Sequence, residues 1–160
     1  MSVIAFADGS VLRTISENAF TGCSSLDSVN FGKDSNLEEI QTRSFDGCTS
    51  LNAISLPSSL RNIAPDAFYR CSNLNKITIE EGNADFATDG RSILSKNRSI
   101  LYCCPNASGA YAIDESVVEI APFAFHEIPI TEIDLTRIRR VGESGFEGSG
   151  VRTCYLLRKK

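Results

Sequence analysis

Six cysteines and one histidine are the residues of this chain with the strongest intrinsic chemistry, and their spacing decides what that chemistry is. Cys23, Cys48 and Cys71 recur at intervals of 25 and 23 residues inside similar phrases, GCSSL, GCTSL and RCSNL. Residues that share one slot of a stacked repeat form a column with neighbours about 5 Å apart, the spacing of adjacent strands. That distance permits a disulfide. Three thiols cannot all pair, however, and each occupies the same slot of a core-facing phrase, so free, buried thiols acting as small hydrophobes are expected. Cys154 takes the slot of Val29, Ile54, Ile77 and Ile133 and is expected in the core. Cys103 and Cys104 are adjacent, so a strand points them to opposite faces and a vicinal disulfide would be strained.

Metal and nucleophile chemistry find little support. There is no Cys-x-x-Cys pair, and with one histidine a four-ligand zinc site would have to gather cysteines and carboxylates from different repeats. No metal and no cofactor are expected. His126 directly follows Phe125, which places it in the turn before a strand, at the surface and away from the thiol column, so no Cys/His dyad is expected. The pairs Glu38–Glu39, Glu80–Glu81 and Asp114–Glu115 are adjacent in sequence, whereas glycosidase carboxyls must face one cleft at a defined separation. They read as solvated. The chain carries no phosphate-cradling glycine loop and no nucleophile elbow, and Gly148–Gly150 falls in a repeat loop. The residue chemistry points away from an enzyme.

The elements that position these residues come from a repeat. The phrases NAFTGCSSLDSVNF (18–31), RSFDGCTSLNAISL (43–56) and DAFYRCSNLNKITI (66–79) each follow a Leu-x-x-Ile element: LRTI (12–15), LEEI (37–40) and LRNI (60–63). Two degraded copies, 117–135 and 138–156, place Phe125 and Phe146 21 residues apart and lack the cysteine. VIAF near the start fits the tail of an earlier copy. A period of 21 to 25 residues is too short for a unit with its own core, so each copy buries its apolar side against its neighbours, which defines a solenoid. SVNF, AISL, KITI, EIDL and TCYL alternate apolar and polar residues and predict short strands stacked in one parallel sheet. About six stacked units with a phenylalanine spine are expected.

This pattern of Leu-x-x-Ile, Ala-Phe, Gly-Cys and Leu-x-x-Ile-x-Leu-Pro resembles the BspA-like leucine-rich repeat family over nearly the whole chain. The resemblance extends to residues 86–125, which look like that family's interrupting repeat, with a two-strand segment leading to a Tyr-x-x-Pro-like turn. It implies a β-rich leucine-rich-repeat solenoid of stacked short parallel strands, with turns and short 3-10 or strand elements on the opposite side. The expected organisation is one domain over 1–160, with regular repeats at 3–79 and 113–156 and the interruption at 80–112. It also implies a non-enzymatic surface or secreted adhesion-type antigen that contacts host cells or matrix.

In such strands the polar positions point outward in two columns: Ser28, Ala53, Lys76, Glu132, Thr153 and Asn30, Ser55, Thr78, Asp134, Tyr155. A solenoid uses such a face for protein or glycan partners, and the same residues also suit a merely solvated sheet. Charge is uneven: residues 1–136 hold 9 Lys/Arg against 18 Asp/Glu, and residues 137–160 hold 7 against 2. Arg137, Arg139, Arg140 and Arg152 are the expected docking edge for an anionic partner, and Arg158, Lys159 and Lys160 read as a solvated tail. With a net charge of −4 and a pI near 5.0, nucleic acid is not expected as a partner. Asn97 and Asn106 begin N-x-Ser sequons on expected turns, sites for a glycan if the chain passes through a eukaryotic secretory route.

The first residues do not form a signal peptide, and no run reaches the ~18 apolar residues of a membrane span. SVIAF starts directly in a strand and Tyr155–Leu157 ends in one, without polar caps. Two readings stand: a piece of a longer array, or ends that meet in an oligomer. For location, the resemblance implies the cell surface or the extracellular space. The missing signal peptide and free thiols suit the rival, an intracellular protein–protein scaffold in a reducing compartment.

Overall fold

A computed structural model describes residues 2–155, so Leu156, Leu157 and the tail Arg158–Lys160 lie outside the described residues. The described residues form strands and turns without a helix. The first half runs β1 (Ser2–Ala5), β2 (Thr14–Ile15), β3 (Leu26–Asn30), β4 (Glu39–Ile40), β5 (Ala53–Leu56), β6 (Asn62–Ile63) and β7 (Lys76–Ile79). Long strands pair in parallel as β1-β3-β5-β7, and the two-residue Leu-x-x-Ile strands pair as β2-β4-β6.

The sequence dictates this cross-section directly. Alternation in β5 turns Ile54 and Leu56 inward and Ser55 outward, while Ile40 enters the core from the short strand β4 and Leu37 from just before it. The Phe turns close each coil, with Phe20, Phe45 and Phe68 stacked at 5.2 and 5.4 Å and Phe125 on Phe146 at 5.2 Å. Gly32 shows how tightly the coils stack: its φ is 74°, and a Cβ there would lie 2.4 Å from the Ala7 carbonyl oxygen.

The pattern then changes. Strands β8 (Phe86–Thr88), β9 (Ile93–Ser95) and β10 (Ile100–Cys103) form an antiparallel meander, followed by β11 (Gly109–Tyr111). The remaining strands are β12 (Glu119–Ile120), β13 (Ile130–Asp134), β14 (Arg140–Val141) and β15 (Thr153–Tyr155). Parallel pairing resumes as β10-β12-β14 and β11-β13-β15, giving about seven turns in all rather than six.

The long strands therefore fall in two sheets, where one continuous sheet was expected. The cause lies at β7: the Ile77 amide donates to Gly90 O at 2.8 Å, and Thr88 Oγ1 lies 3.4 Å from Ile77 O. The incoming hairpin takes up the edge that β11 would otherwise pair with.

The core divides at the same place. One buried cluster runs from Ile15 to Cys103 and a second from Leu94 to Ile133. Ile93 belongs to the first and its neighbour Leu94 to the second, as alternation requires. On β10, Leu101 serves the second cluster and Cys103 the first; an irregularity in register between them breaks the alternation that would have pointed both the same way. Cys104 returns to the second cluster.

Two polar devices tie the interruption to the regular repeats. Asn83 is 2% exposed and fully used: its amide nitrogen donates to Pro57 O (3.2 Å) and Leu60 O (2.9 Å), and Oδ1 accepts from the Asp85 and Phe86 amides. Arg98, at a φ of 60°, donates to Thr88 O and pairs with Asp114. The Arg98 hydrogen bond, helped by the Ser116 amide, holds the Asp114 carboxyl below its usual range. A carboxylate with a lowered folded-state pKa contributes stability above its unfolded value that disappears as pH falls through the folded one. Asp114→Asn is therefore expected to melt lower than the parent at neutral pH and to lose less stability between about pH 4 and pH 2. Parallel acid-side losses in thermal melts would contradict this.

Candidate functional site

Outward alternation creates the polar columns, and the split sheet divides them. Ser28, Ala53 and Lys76 are in register on the first sheet, beside Ser55 and Thr78, with Asn30 at the end of β3. Glu132, Asp134 and Tyr155 belong to the second sheet, where Glu132 pairs with Thr153 and Asp134 with Tyr155. Asn30, Ser55, Lys76, Thr78, Asp134 and Tyr155 are exposed, and Glu132 is half-buried. Asn30 and Asp134 are partly committed to turns, accepting from the Gly32 amide at 2.9 Å and the Thr136 amide at 2.8 Å. The latter bond is the main reason the Asp134 carboxyl titrates low. Tyr155 OH donates to Glu132 Oε1 at 3.0 Å, which raises its own pKa.

The arginines divide in a similar way. Arg140 lies on β14 and meets Glu119 of β12 at 2.7 Å; Arg137 lies 3.8 Å from Glu115. Arg139 and Arg152 make no ion pair among the described residues, and Arg152 precedes β15 in the other sheet, its amide donating to Thr131 O. Asn97 sits in the β9–β10 turn, its Oδ1 accepting from Ser95 Oγ, Ser99 N and Ser99 Oγ. Asn106 is exposed in the turn after β10.

All six cysteines are free. Cys48 and Cys71 are fully buried, donating to Phe20 O (3.3 Å) and Phe45 O (3.0 Å) of the preceding turn. Two expectations need correction. Cys23 is exposed because, among the described residues, no earlier coil lays a Phe turn over it as Phe20 lies over Cys48. Cys154 keeps the expected slot opposite Ile133, but no described repeat covers β15, and it too is exposed. Burial pushes the Cys48 and Cys104 thiols up to about 11 and also raises those of Cys71 and Cys103. That direction opposes thiolate formation, the reverse of an activated nucleophile. Iodoacetamide on the folded protein should alkylate Cys23 and Cys154 and spare the other four until denaturant is added. Native modification of Cys71, read by mass spectrometry, would contradict the buried column.

His126 lies in its turn as expected, but its ring is not a surface group. Its side chain is 17% exposed, stacked on Tyr69 at 5.3 Å and against Phe123 at 5.7 Å. Tyr69 anchors a cluster that sequence reasoning missed. The Arg70 guanidinium lies 5.0 Å from the ring and holds the buried Asp46 carboxylate through two bonds of 2.8 Å, while Arg43 lies 5.7 Å from the same ring. Burial, and then the Glu127 carboxylate beside the hydroxyl, push Tyr69 up to about 12.

Comparison with known proteins agrees with this architecture. Residues 3–90 match the family described as BspA type leucine-rich repeat region, in six copies. The chain belongs to that family. Among solved structures, it is similar to the pneumococcal vaccine antigen PcpA, with 23% identity and a TM-score of 0.81 over 98% of this chain and 39% of that one. A leucine-rich repeat protein of Eubacterium ventriosum shares 16% identity at a TM-score of 0.59, covering 97% of this chain and 60% of that one. A leucine-rich cell surface protein of Faecalibacterium prausnitzii shares 17% at 0.50, with the same coverages. At these identities the likeness is one of fold, and the BspA-type chain spans 39% to 60% of the length of these neighbours. No curated protein matches it.

Proposed function

We propose that this BspA-type chain is a non-enzymatic binding module of a cell-surface or secreted adhesion-type protein. Its partner is a host-cell or matrix protein, or the glycan on one. The carrying observation is the pair of exposed polar patches on parallel sheets, Asn30–Ser55–Lys76–Thr78 and Asp134–Tyr155, the latter beside the half-buried Glu132. Short strands locked by stacked coils present such side chains at fixed spacing, which lowers the ordering cost of binding. Neighbours named as a vaccine antigen and a cell surface protein support the location. Antibody labelling of intact source cells tests it; signal only after permeabilisation would sink it.

The C-terminal arginines form an accessory edge in this reading. Since Arg140 is already paired with Glu119, Arg139 offers the freer cation. Arg139→Glu should weaken binding to an anionic partner more than Arg140→Glu, by an amount that shrinks as salt rises. Equal affinity for both variants across a salt titration would remove the arginine edge.

A second reading rests on the four buried, unpaired thiols. They suit an intracellular scaffold in a reducing compartment. Glycan on Asn97 or Asn106 of the native protein would exclude it.

A further inference from the structure

The turn column carries a backbone hydrogen-bond ladder that breaks once. The amides of Phe20, Phe45 and Phe125 donate to Ser44, Ala67 and Gly145 carbonyls in the next turn at 2.7, 2.9 and 2.9 Å. Those of Gly22, Gly47 and Glu127 donate to Asp46, Tyr69 and Glu147 at 2.7, 2.9 and 2.7 Å. The Phe68 and Arg70 amides hold the same two slots and have no acceptor among the described residues. The reason is topological: the interrupting segment passes here as Cys103–Pro105 and supplies no Phe turn. Tyr69 and His126 stack their rings across the gap at 5.3 Å.

Beside this break lies a cleft of about 260 Å³ between the Tyr69–Arg70 and Glu127–Ile128 turns. Pro105, Ala107 and Pro129 give it apolar walls, and Asn106 lines it too. We propose that it binds one pyranose ring of a neutral glycan. The cleft is smaller than the ~300–1,000 Å³ of pockets for drug-sized ligands, and suits a single ring.

Its chemistry matches that of a sugar. Asp46 fixes Arg70 through Nε and Nη2, and guanidinium N–H groups remain unused. Glu127, on the opposite turn, lines the cleft, its carboxylate beside the Tyr69 hydroxyl. The Arg70 guanidinium and the Glu127 carboxylate, both on residues that line the cleft, offer donors and acceptors for vicinal hydroxyls, while proline and alanine walls fit the ring's C–H face. Asp46 already balances Arg70, so no surplus positive charge invites an anion. None of the residues lining the cleft lies in a strand, which disfavours strand addition by an extended peptide. The site lies on the turn column and is independent of the sheet patches.

The test is an amide chemical-shift titration of the purified protein with free glucose, galactose, mannose and N-acetylglucosamine. At least one sugar should move the Arg70, Asn106 and Glu127 amides in the millimolar range. Glu127→Gln should weaken that response roughly tenfold, and Glu81→Gln, at an exposed position outside the cleft and the sheet patches, should leave it unchanged. Asn106→Ala serves as the second variant should Glu127→Gln lower the melting temperature. Absence of shifts with every sugar up to tens of millimolar overturns the proposal. So does a response that both cleft variants leave intact, or shifts produced by an Ala-Pro-Ala peptide and by no sugar. The readout uses isolated protein, so it stands or falls separately from cell-surface labelling.

Discussion

Phe45→Ala should lower the free energy of unfolding by about 3–5 kcal/mol, among the largest effects of any single truncation in this chain. Phe45 has no exposed surface and is sandwiched between Phe20 and Phe68, so its removal opens a cavity bounded by two rings. The neighbours cannot collapse into that space freely, because the Phe45 amide, its carbonyl and the adjacent Gly47 amide are pinned by Ala67 O, the Cys71 thiol and Tyr69 O. Phe20→Ala provides the contrast: Phe20 is only half-buried and stacks on one ring, so it should cost less. Urea unfolding of both variants checks the pair. A Phe45 loss below about 1 kcal/mol, or a larger loss at Phe20, would show that the spine does not carry the stack.

Asn83 should be nearly as sensitive, although no periodicity marks it. Asn83→Ala removes two donors and two accepted bonds from a site 2% exposed, leaving buried backbone groups without partners, and is expected to cost about 3 kcal/mol. Asn83→Asp makes a sharper test. The new carboxylate would keep the two accepted bonds but turn its other oxygen on the Pro57 and Leu60 carbonyls, which favours the protonated acid. A carboxyl whose folded-state pKa is raised contributes stability below its unfolded pKa and loses it as pH rises through the folded value. The Asn83→Asp variant should therefore recover part of its deficit, relative to parent, between about pH 7 and pH 4. A constant deficit across that range would mean that the amide nitrogen's two bonds are unimportant.

The repeat was legible because copies restate one another. Phe20, Phe45 and Phe68, with Leu37–Ile40 and Leu60–Ile63, mark the spine and the short strands by recurrence alone. Slot assignment was equally reliable: Cys154 does stand opposite Ile133. Exposure was harder, since a slot is buried only when a neighbouring coil covers it, and Cys23 and Cys154 have one such neighbour each among the described residues. The outward columns followed from alternation, but their division did not, because it depends on the Gly90 carbonyl reaching Ile77. Least legible was the Tyr69–Arg70–His126–Glu127 cluster. Its members join across the interruption, where the repeat offers no register to count. The two-residue hydrogen bonds of Asn30 and Asp134 left a local trace, Asn-x-Gly and Asp-x-Thr, typical of side chains that close turns.

Ile93 and Leu94 of β9, and Cys103 and Leu101 of β10, make these strands a party wall, one surface for each core. A regular solenoid gains stability coil by coil and can fray the same way, each unit answering only to its neighbours. A shared wall changes the grain of that cooperativity. Neither block can open without stripping one side of strands that the other still needs, so losses near the wall are felt in both halves. Coils added or removed away from it leave the wall as it stands. The interruption thus acts as the keystone between two arrays whose lengths are free to vary.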